Sequence, residues 1–386
     1  PCRRREPRSE GQHPTPSPVM KLLSPHMAEF FPRIQLGVGV PGGPEVALHL
    51  LQSTIEQEWA EEEQRAEGDK LEPVVVSVDI SNAFTTRRRS AMARALFTNP
   101  ATRAVWRLFH WQYREATPLY LFADRERAAC LSSAEGVQQG NPLSSFLFAL
   151  SVQPLYAEAA DAAPGVTAVA IHDDLTFVGP RAAVVTAFER FRSLAEEEGL
   201  RLALQKCRLL LPEDRPASEE SQDFVARHGL LACYDGMALL GAYICFSERR
   251  VGDWATLQVE QRRPFFEKLC ANPFIKSQIA LLLLRGSGLP RFTYGVRVFP
   301  PSLAQQALQL ADELVFDTAT AVLKLDTPIP LMARNLMILP IRMGGLGLRS
   351  AETTAHAAFL SSGCMAIRYL ASRFPTWESA PPIRFR

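Results

Sequence analysis

The stretch TAVAIHDDLTFVG, residues 167–179, constrains this chain more than any other. Apolar residues run up to Asp173-Asp174 and resume at once behind them, and Gly179 closes the segment. The pattern predicts two short strands meeting at a tight acidic turn. Two adjacent carboxylates at the tip of an apolar hairpin repel each other. A hard divalent cation such as Mg²⁺, which takes oxygen ligands, relieves that repulsion. Asp is also a common turn residue, so the stretch taken alone reads as well as a solvated turn.

Three further stretches bear on that choice. VVVSVDISNAF (74–84) predicts a buried β-strand that delivers Asp79 at its C-terminal end, where ligand chemistry is favoured in sheet folds. An Asp there can instead cap the next helix, a role for which Asn82 competes. EGVQQGNPLSSFLFALSVQPLYAEAA (135–160) predicts a helix with Asn141 at the cap and Pro142 at its first position. Phe146, Leu147, Leu150 and Leu155 form its buried face. Gln138, Gln139 and Gly140 then precede a helix N-terminus, a place for a phosphate or base edge, or simply a capped start. GLRLALQKCRLL (199–210) alternates as a strand and presents Lys206, which on its own is a solvated strand residue.

Around these the chain alternates between helix and strand. Residues 1–20 are rich in Arg, Pro and Ser, lack periodicity and are expected to be disordered. Gly42-Gly43 break the chain before Pro44, after which Val46, Leu50, Leu51, Ile55 and Trp59 recur at helical spacing toward an acidic tail. Two helices are expected over 87–113, split at Asn99-Pro100, and paired strands over 118–133. A helix over 181–198 ends at Gly199, and a strand pair turns around Gly241. Beyond about residue 255 the spacing is helical, with a last helix over 351–372.

Composition adds limits. With 386 residues, 47% hydrophobic and 22% charged, the chain can bury a core in two or three domains. A net charge of +1 does not mark the whole chain as a polyanion binder. Residues 245–300 nevertheless carry nine Lys/Arg against four acids, a local +5; such a run faces phosphate or merely solvent. The seven cysteines show no metal-like spacing and read as reduced thiols of an intracellular protein, although Cys233 and Cys245 could meet across strands. No apolar run reaches membrane-spanning length, and no secretory pattern opens the sequence. The first residue is not Met, so a piece of a longer chain is expected.

Carboxylates that hold two divalent ions roughly 3.5–4 Å apart are the device of two-metal phosphoryl transfer. Asp79 and Asp173 suit it. Asp174 ranks behind them, because successive strand residues face opposite ways.

In this order the motifs resemble the palm of reverse transcriptases, most closely those of non-LTR retrotransposons. DISNAF resembles the first palm motif and EGVQQGNPLSSFLFAL the second. IHDD resembles the Tyr-x-Asp-Asp box, LALQKC the Lys-containing motif after it, and LLGAYI the next strand pair. LGVGVPGGPEVALH resembles an upstream segment, and LPIRMGGLGLRSAETTAHAAFLSS a C-terminal helical region. Ile171 and Asn141 depart from the commoner residues at their positions.

The resemblance implies an α+β fold, a right-hand polymerase palm of antiparallel sheet backed by helices, followed by a helical thumb and C-terminal region. It implies residues 1–27 as a disordered segment, 28–245 as palm with partial fingers, and 246–386 as thumb and C-terminal region. Most of the fingers are expected to be missing. The implied activity is RNA-directed DNA synthesis, adding deoxynucleotides to a primer 3′-hydroxyl with two Mg²⁺, for which Mn²⁺ substitutes. Partners would be an RNA template, a DNA primer and dNTPs, with no membrane, in a nuclear setting. Asp79, Asp173 and Asp174 would be catalytic metal ligands. Phe84 would exclude a ribose 2′-hydroxyl, Gln139 and Gly140 would lie against the incoming nucleotide, and Lys206 would sit near the triphosphate. The basic run after 245 would track the nucleic-acid backbone. Two other readings stay open: a non-catalytic remnant that at most binds nucleic acid, and an RNA-templated RNA polymerase.

Overall fold

A computed structural model of the protein describes residues 16–123, 126–213, 216–234 and 236–373. Among them are nine strands: β1 (Pro73–Val78), β2 (Thr117–Ala123), β3 (Glu126–Ser133), β4 (Thr167–Ile171), β5 (Asp174–Pro180), β6 (Arg208–Leu210), β7 (Leu231–Cys233), β8 (Met237–Leu239) and β9 (Ala242–Ile244). One sheet has the strand order β4-β5-β1-β6-β7, and β6 pairs with β7 in parallel. β2 and β3 form an antiparallel hairpin, as do β8 and β9. The β8–β9 turn, Leu240-Gly241, has positive φ at both residues (50° and 75°), the geometry that matches the twist of flanking strands.

Contacts divide the chain into two compact units. The first comprises residues 1–43, 77–177 and 183–207. Its core gathers Leu23, Met27, Phe30, Phe31, Met92, Leu96, Phe109, Tyr113, Phe146 and Leu147. The segment expected to be disordered therefore behaves differently from Pro16 onward; residues 1–15 lie outside the described residues. Pro16–Leu23 and Met27–Phe30 are helical, because Met20, Leu23, Met27 and Phe30 recur at helical spacing and find a shared core. The helices Arg89–Thr98 and Trp106–Tyr113 fall on either side of Asn99-Pro100.

Three consecutive arginines hold this unit together. Arg87 is 2% exposed; its guanidinium donates to Ser151 Oγ (3.0 Å) and Ser151 O (2.7 Å) and pairs with Glu198 (3.3 Å). Arg88 lies over Gly199, whose φ of +74° closes the helix Arg181–Glu197 and where an added Cβ would stand 2.6 Å from the guanidinium. Arg89 stacks over Tyr113 and donates to the carbonyls of Gly136 (3.1 Å) and Ser133 (2.9 Å), which moors the base of the β2–β3 hairpin.

The second unit comprises residues 44–76, 178–182 and 208–386. The helix Gln305–Leu323 packs against Val251–Glu260, Arg263–Ala271 and Ala351–Ala371. Asp312, from the first of these, accepts from the Ala351 N–H (2.6 Å), while Ser350 caps the same helix start by accepting from Thr353 N (3.0 Å). The acidic tail of the helix Gly43–Gln64 is not all solvated. Glu62 is fully buried and accepts from Leu71 N (3.0 Å), Glu72 N (3.1 Å) and Arg65 (3.2 Å). The basic run is also partly tied down, since Arg297 pairs with Glu45 (3.0 Å) and Arg263 with Glu260 (2.6 Å). Among the described residues no disulfide occurs, Cys233 and Cys245 included, and no helix is long and apolar enough to cross a membrane.

Candidate active site

Every residue expected at the site lies in the first unit. β4 and β5 are joined by the two-residue turn His172-Asp173, and β5 begins at Asp174. Asp173 thus belongs to the turn and not to the strand. The alternation argument that ranked Asp174 behind it fails, because it holds only between successive strand residues. His172 has φ +58°, a left-handed conformation that non-glycine residues adopt rarely and mostly in turns.

Asp79 follows β1 directly. Its carbonyl accepts from Ala203 N (2.9 Å), its N–H donates to Cys207 Sγ (3.4 Å), and Ser81 N–H donates to Arg201 O (2.8 Å). Ile80 and Leu202 form an antiparallel bridge between these bonds. The backbone at Asp79 is therefore pinned by the 201–207 segment. Lys206 is not on a strand as expected: Leu204–Lys206 is a 3₁₀ turn, closed by Lys206 N–H and Cys207 N–H donating to Ala203 O (2.8 and 3.1 Å). The turn brings the Lys206 ammonium 3.9 Å from Asp79 Oδ1. A cleft of about 400 Å³ opens there, lined by Ser81, Asn82 and residues 202–206.

The three carboxylates act on one another. Burial, opposed by its own N–H and by His172 and reinforced by Asp79, raises the Asp173 pKa above the usual carboxylate range. Asp174 is exposed at its tip, but the surrounding protein, then the charges of Asp173 and Asp79, pushes its carboxyl up to about 6. Tyr156, fully buried, has its hydroxyl pKa raised by burial and then by the charges of Asp173 and Asp174, so it stays neutral and donates. Burial lowers the His172 pKa.

Phe84 is half-buried, stacked on Phe148 at 4.5 Å and meeting the His172 ring edge-on at 5.9 Å. The 135–141 loop is bonded to the helical turn Ala83–Thr86 that carries Phe84 and to its cap Arg87: Val137 N–H donates to Phe84 O (2.8 Å) and Gly136 N–H to Arg87 O (3.1 Å). Gln138 is used internally, donating to Thr117 Oγ1 (3.2 Å) and accepting from Ser144 Oγ (2.6 Å). Gln139 and Gly140 are exposed, Gly140 at φ +83°. Asn141 turns the chain by accepting from Leu143 N (3.0 Å), and the helix proper runs Ser144–Asp161, two residues later than expected.

The donor set fits a hard divalent ion by its chemistry: three all-oxygen groups whose mutual repulsion a cation would neutralise. Among the described residues no three His, Cys, Asp or Glu side chains are gathered into a ready-made metal cage. The sequence reading missed Gln35 and Tyr156, which contact the turn from behind. A lone polar residue between Ile34 and Leu36, ahead of a glycine-rich run, was the available signal for Gln35.

A hairpin bearing adjacent carboxylates, beside a further carboxylate at a strand end, is the palm arrangement of a template-directed nucleotidyltransferase. Over residues 27–244 the chain matches the family model described as reverse transcriptase (RNA-dependent DNA polymerase), and it belongs to that family. Members of this family use divalent metal ions. Similar solved structures include telomerase from Candida albicans in complex with a TWJ fragment of telomeric RNA (10% identity, TM-score 0.41, covering 94% of this chain and 55% of that one). Apo telomerase from Candida tropicalis is similar at 10% identity and TM-score 0.45, covering 95% and 61%. The Candida tropicalis enzyme with a TWJ fragment gives 11% and 0.45, covering 94% and 56%. The chain thus spans little more than half the length of these structures. No curated protein matches the sequence.

Proposed function

We propose that the chain is the polymerase core of a non-LTR retroelement, adding deoxynucleoside monophosphates to a DNA primer 3′-hydroxyl on an RNA template. The observation that carries this reading is the shared field of Asp79, Asp173 and Asp174, with Lys206 and a polar cleft beside Asp79. In this reading residues 28–245 serve as palm with partial fingers and 246–386 as thumb.

Asp79, Asp173 and Asp174 would hold two Mg²⁺, or Mn²⁺ in its place, which supply activation of the attacking hydroxyl and charge neutralisation at the phosphate. The chain's own residues do the positioning. Lys206 and the polar side chains of Asn82 and Gln205 that line the same cleft meet a triphosphate. Phe84, braced by Phe148, closes off the space a ribose 2′-hydroxyl would need. Gln139, exposed beside Gly140, lies against the incoming nucleotide. Backbone phosphates are met by those basic residues of 245–300 that are not tied to Glu45 or Glu260, which makes binding salt-sensitive.

The test is primer extension by the purified chain on an RNA template with a DNA primer, in Mg²⁺ and in Mn²⁺, beside Asp173→Ala. Extension that the variant loses supports the proposal. A folded chain that binds template–primer but never extends it identifies a non-catalytic remnant instead.

A further inference from the structure

Gln35 is wholly buried, 137 residues away from the acidic turn in sequence. Its side-chain amide brackets the backbone of His172. Gln35 Nε2 donates to His172 O (3.0 Å), and His172 N–H donates to Gln35 Oε1 (2.8 Å). The same oxygen accepts from Gly37 N–H (2.9 Å). Both contacts of the oxygen are N–H donors and the contact of the nitrogen is a carbonyl, so the partners fix the orientation of the amide. Tyr156 OH donates to the same His172 carbonyl (3.0 Å).

Three features show a built clamp. The backbone carries the Gln35 segment to the hairpin: Leu36 N–H donates to Ala170 O and Ala170 N–H to Ile34 O, each at 2.8 Å. Gly37 leaves room for it, since a Cβ there would stand 2.8 Å from both Gln35 Oε1 and His172 N. The residue it grips has a left-handed φ, which a surrounding structure must hold in place. An amide that satisfies an N–H and a C=O of one residue imitates a neighbouring strand. It does so at the single residue preceding Asp173-Asp174.

We infer that Gln35 is a positioning residue for the acidic turn, acting with Tyr156 through the His172 backbone to hold Asp173 and Asp174 ready for divalent cations. The inference rests on the polymerase reading for its consequence in catalysis, but not for its consequence in metal affinity. Gln35→Met keeps the volume and takes away the acceptor of the half-buried His172 and Gly37 N–H groups. Gln35→Glu keeps the acceptor and loses the donor. Gly37→Ala leaves Gln35 intact and wedges the clamp open.

The experiment uses the full chain and all three variants, each checked for folding by circular dichroism. Mn²⁺ affinity is read by electron paramagnetic resonance, and amide exchange is read at Asp173 and Asp174. Primer-extension kinetics are run beside them. The expected result is roughly a 10- to 100-fold loss of Mn²⁺ affinity and of kcat, the range for groups that orient metal ligands. The KM for dNTP should stay within about threefold of the parent value, since uniform binding is untouched. Faster exchange at Asp173 and Asp174 should accompany it. Folded variants with parental Mn²⁺ affinity and parental exchange overturn the inference. If the parent itself extends no primer, the polymerase reading fails separately, and the clamp is judged by metal affinity and exchange alone.

Discussion

The ring of Phe84 lies on that of Phe148 with centroids 4.5 Å apart and planes 20° from parallel. Phe148 is fully buried on the helix Ser144–Asp161, so it fixes Phe84 from below. A stacked ring is a rigid wall. Phe84→Val should therefore widen the space beside the acidic turn and raise ribonucleotide incorporation relative to deoxynucleotide, by about 10- to 200-fold as for small steric changes in pockets. Competition between rNTP and dNTP in primer extension reads this ratio. An unchanged ratio removes Phe84 from sugar selection.

Asp173→Ala should abolish extension while the chain still folds, because Asp173 sits on a turn and is only half-buried. The companion variant Asp174→Asn should also lose extension, yet raise Tm in metal-free buffer at pH 7.5 by about 1–3 °C. It removes a charge that Asp173 and Asp79 oppose. A lower Tm for Asp174→Asn would mean that the carboxylate is held by favourable partners instead.

The same repulsion sets a pH dependence. The Asp174 carboxyl is raised from 3.8 in its ordinary state to about 6 in the fold. A group raised on folding binds more protons in the folded state, so its stabilisation is complete below the unfolded value and is lost as pH rises through 6. Solvent at the turn screens part of the effect. Metal-free protein should gain thermal stability between pH 7 and pH 5 more than Asp174→Asn does. Added Mg²⁺ should raise Tm more at pH 7.5 than at pH 5. Calorimetric scans with chelator and with Mg²⁺ check both; equal Mg²⁺ gains at the two pH values would contradict this account.

Arg87 carries a buried charge held by Ser151 and Glu198. Arg87→Met should cost on the order of 3 kcal/mol, because Ser151 loses its donor and Glu198 keeps only the exposed Arg94. Arg87→Lys should not rescue it, since one ammonium cannot match a guanidinium's planar set of donors. Urea denaturation provides the measurement, and a loss below about 1 kcal/mol would show that the pair is dispensable.

Much of this was readable from local pattern. The hairpins at 118–133, 167–179 and 237–246, the break at Asn99-Pro100 and the stop at Gly199 all follow from turn chemistry and periodicity, which act over a few residues. The carboxylates were readable because an apolar frame makes each one conspicuous. What the pattern hid was long-range. Lys206 alternates as a strand residue would, but Ala203 and Cys207 are both bonded to the distant Asp79, and the residues between them wind into a local 3₁₀ turn. Arg87, Arg88 and Arg89 carry no local signal of their role, because each guanidinium finds its acceptors in a distant segment. The helical spacing of Met20, Leu23, Met27 and Phe30 is short and follows an Arg- and Pro-rich run, and it gains meaning only from the core these residues share with Phe109, Phe146 and Leu147. Gln35 has no local reason to interrupt an apolar run, because its partner is 137 residues away.

The Gln35 amide touches only main-chain atoms at His172, and those atoms are the same whatever residue occupies position 172. The clamp is therefore blind to side-chain identity there. Substitutions at 172 are screened by Phe84 on one side and by tolerance for a left-handed φ, while position 35 is held to a single side-chain chemistry. Two positions joined by two short bonds can then drift through related sequences without exchanging any signal that pairwise comparison would detect. The contact is inherited through the backbone, and only a structure makes it visible.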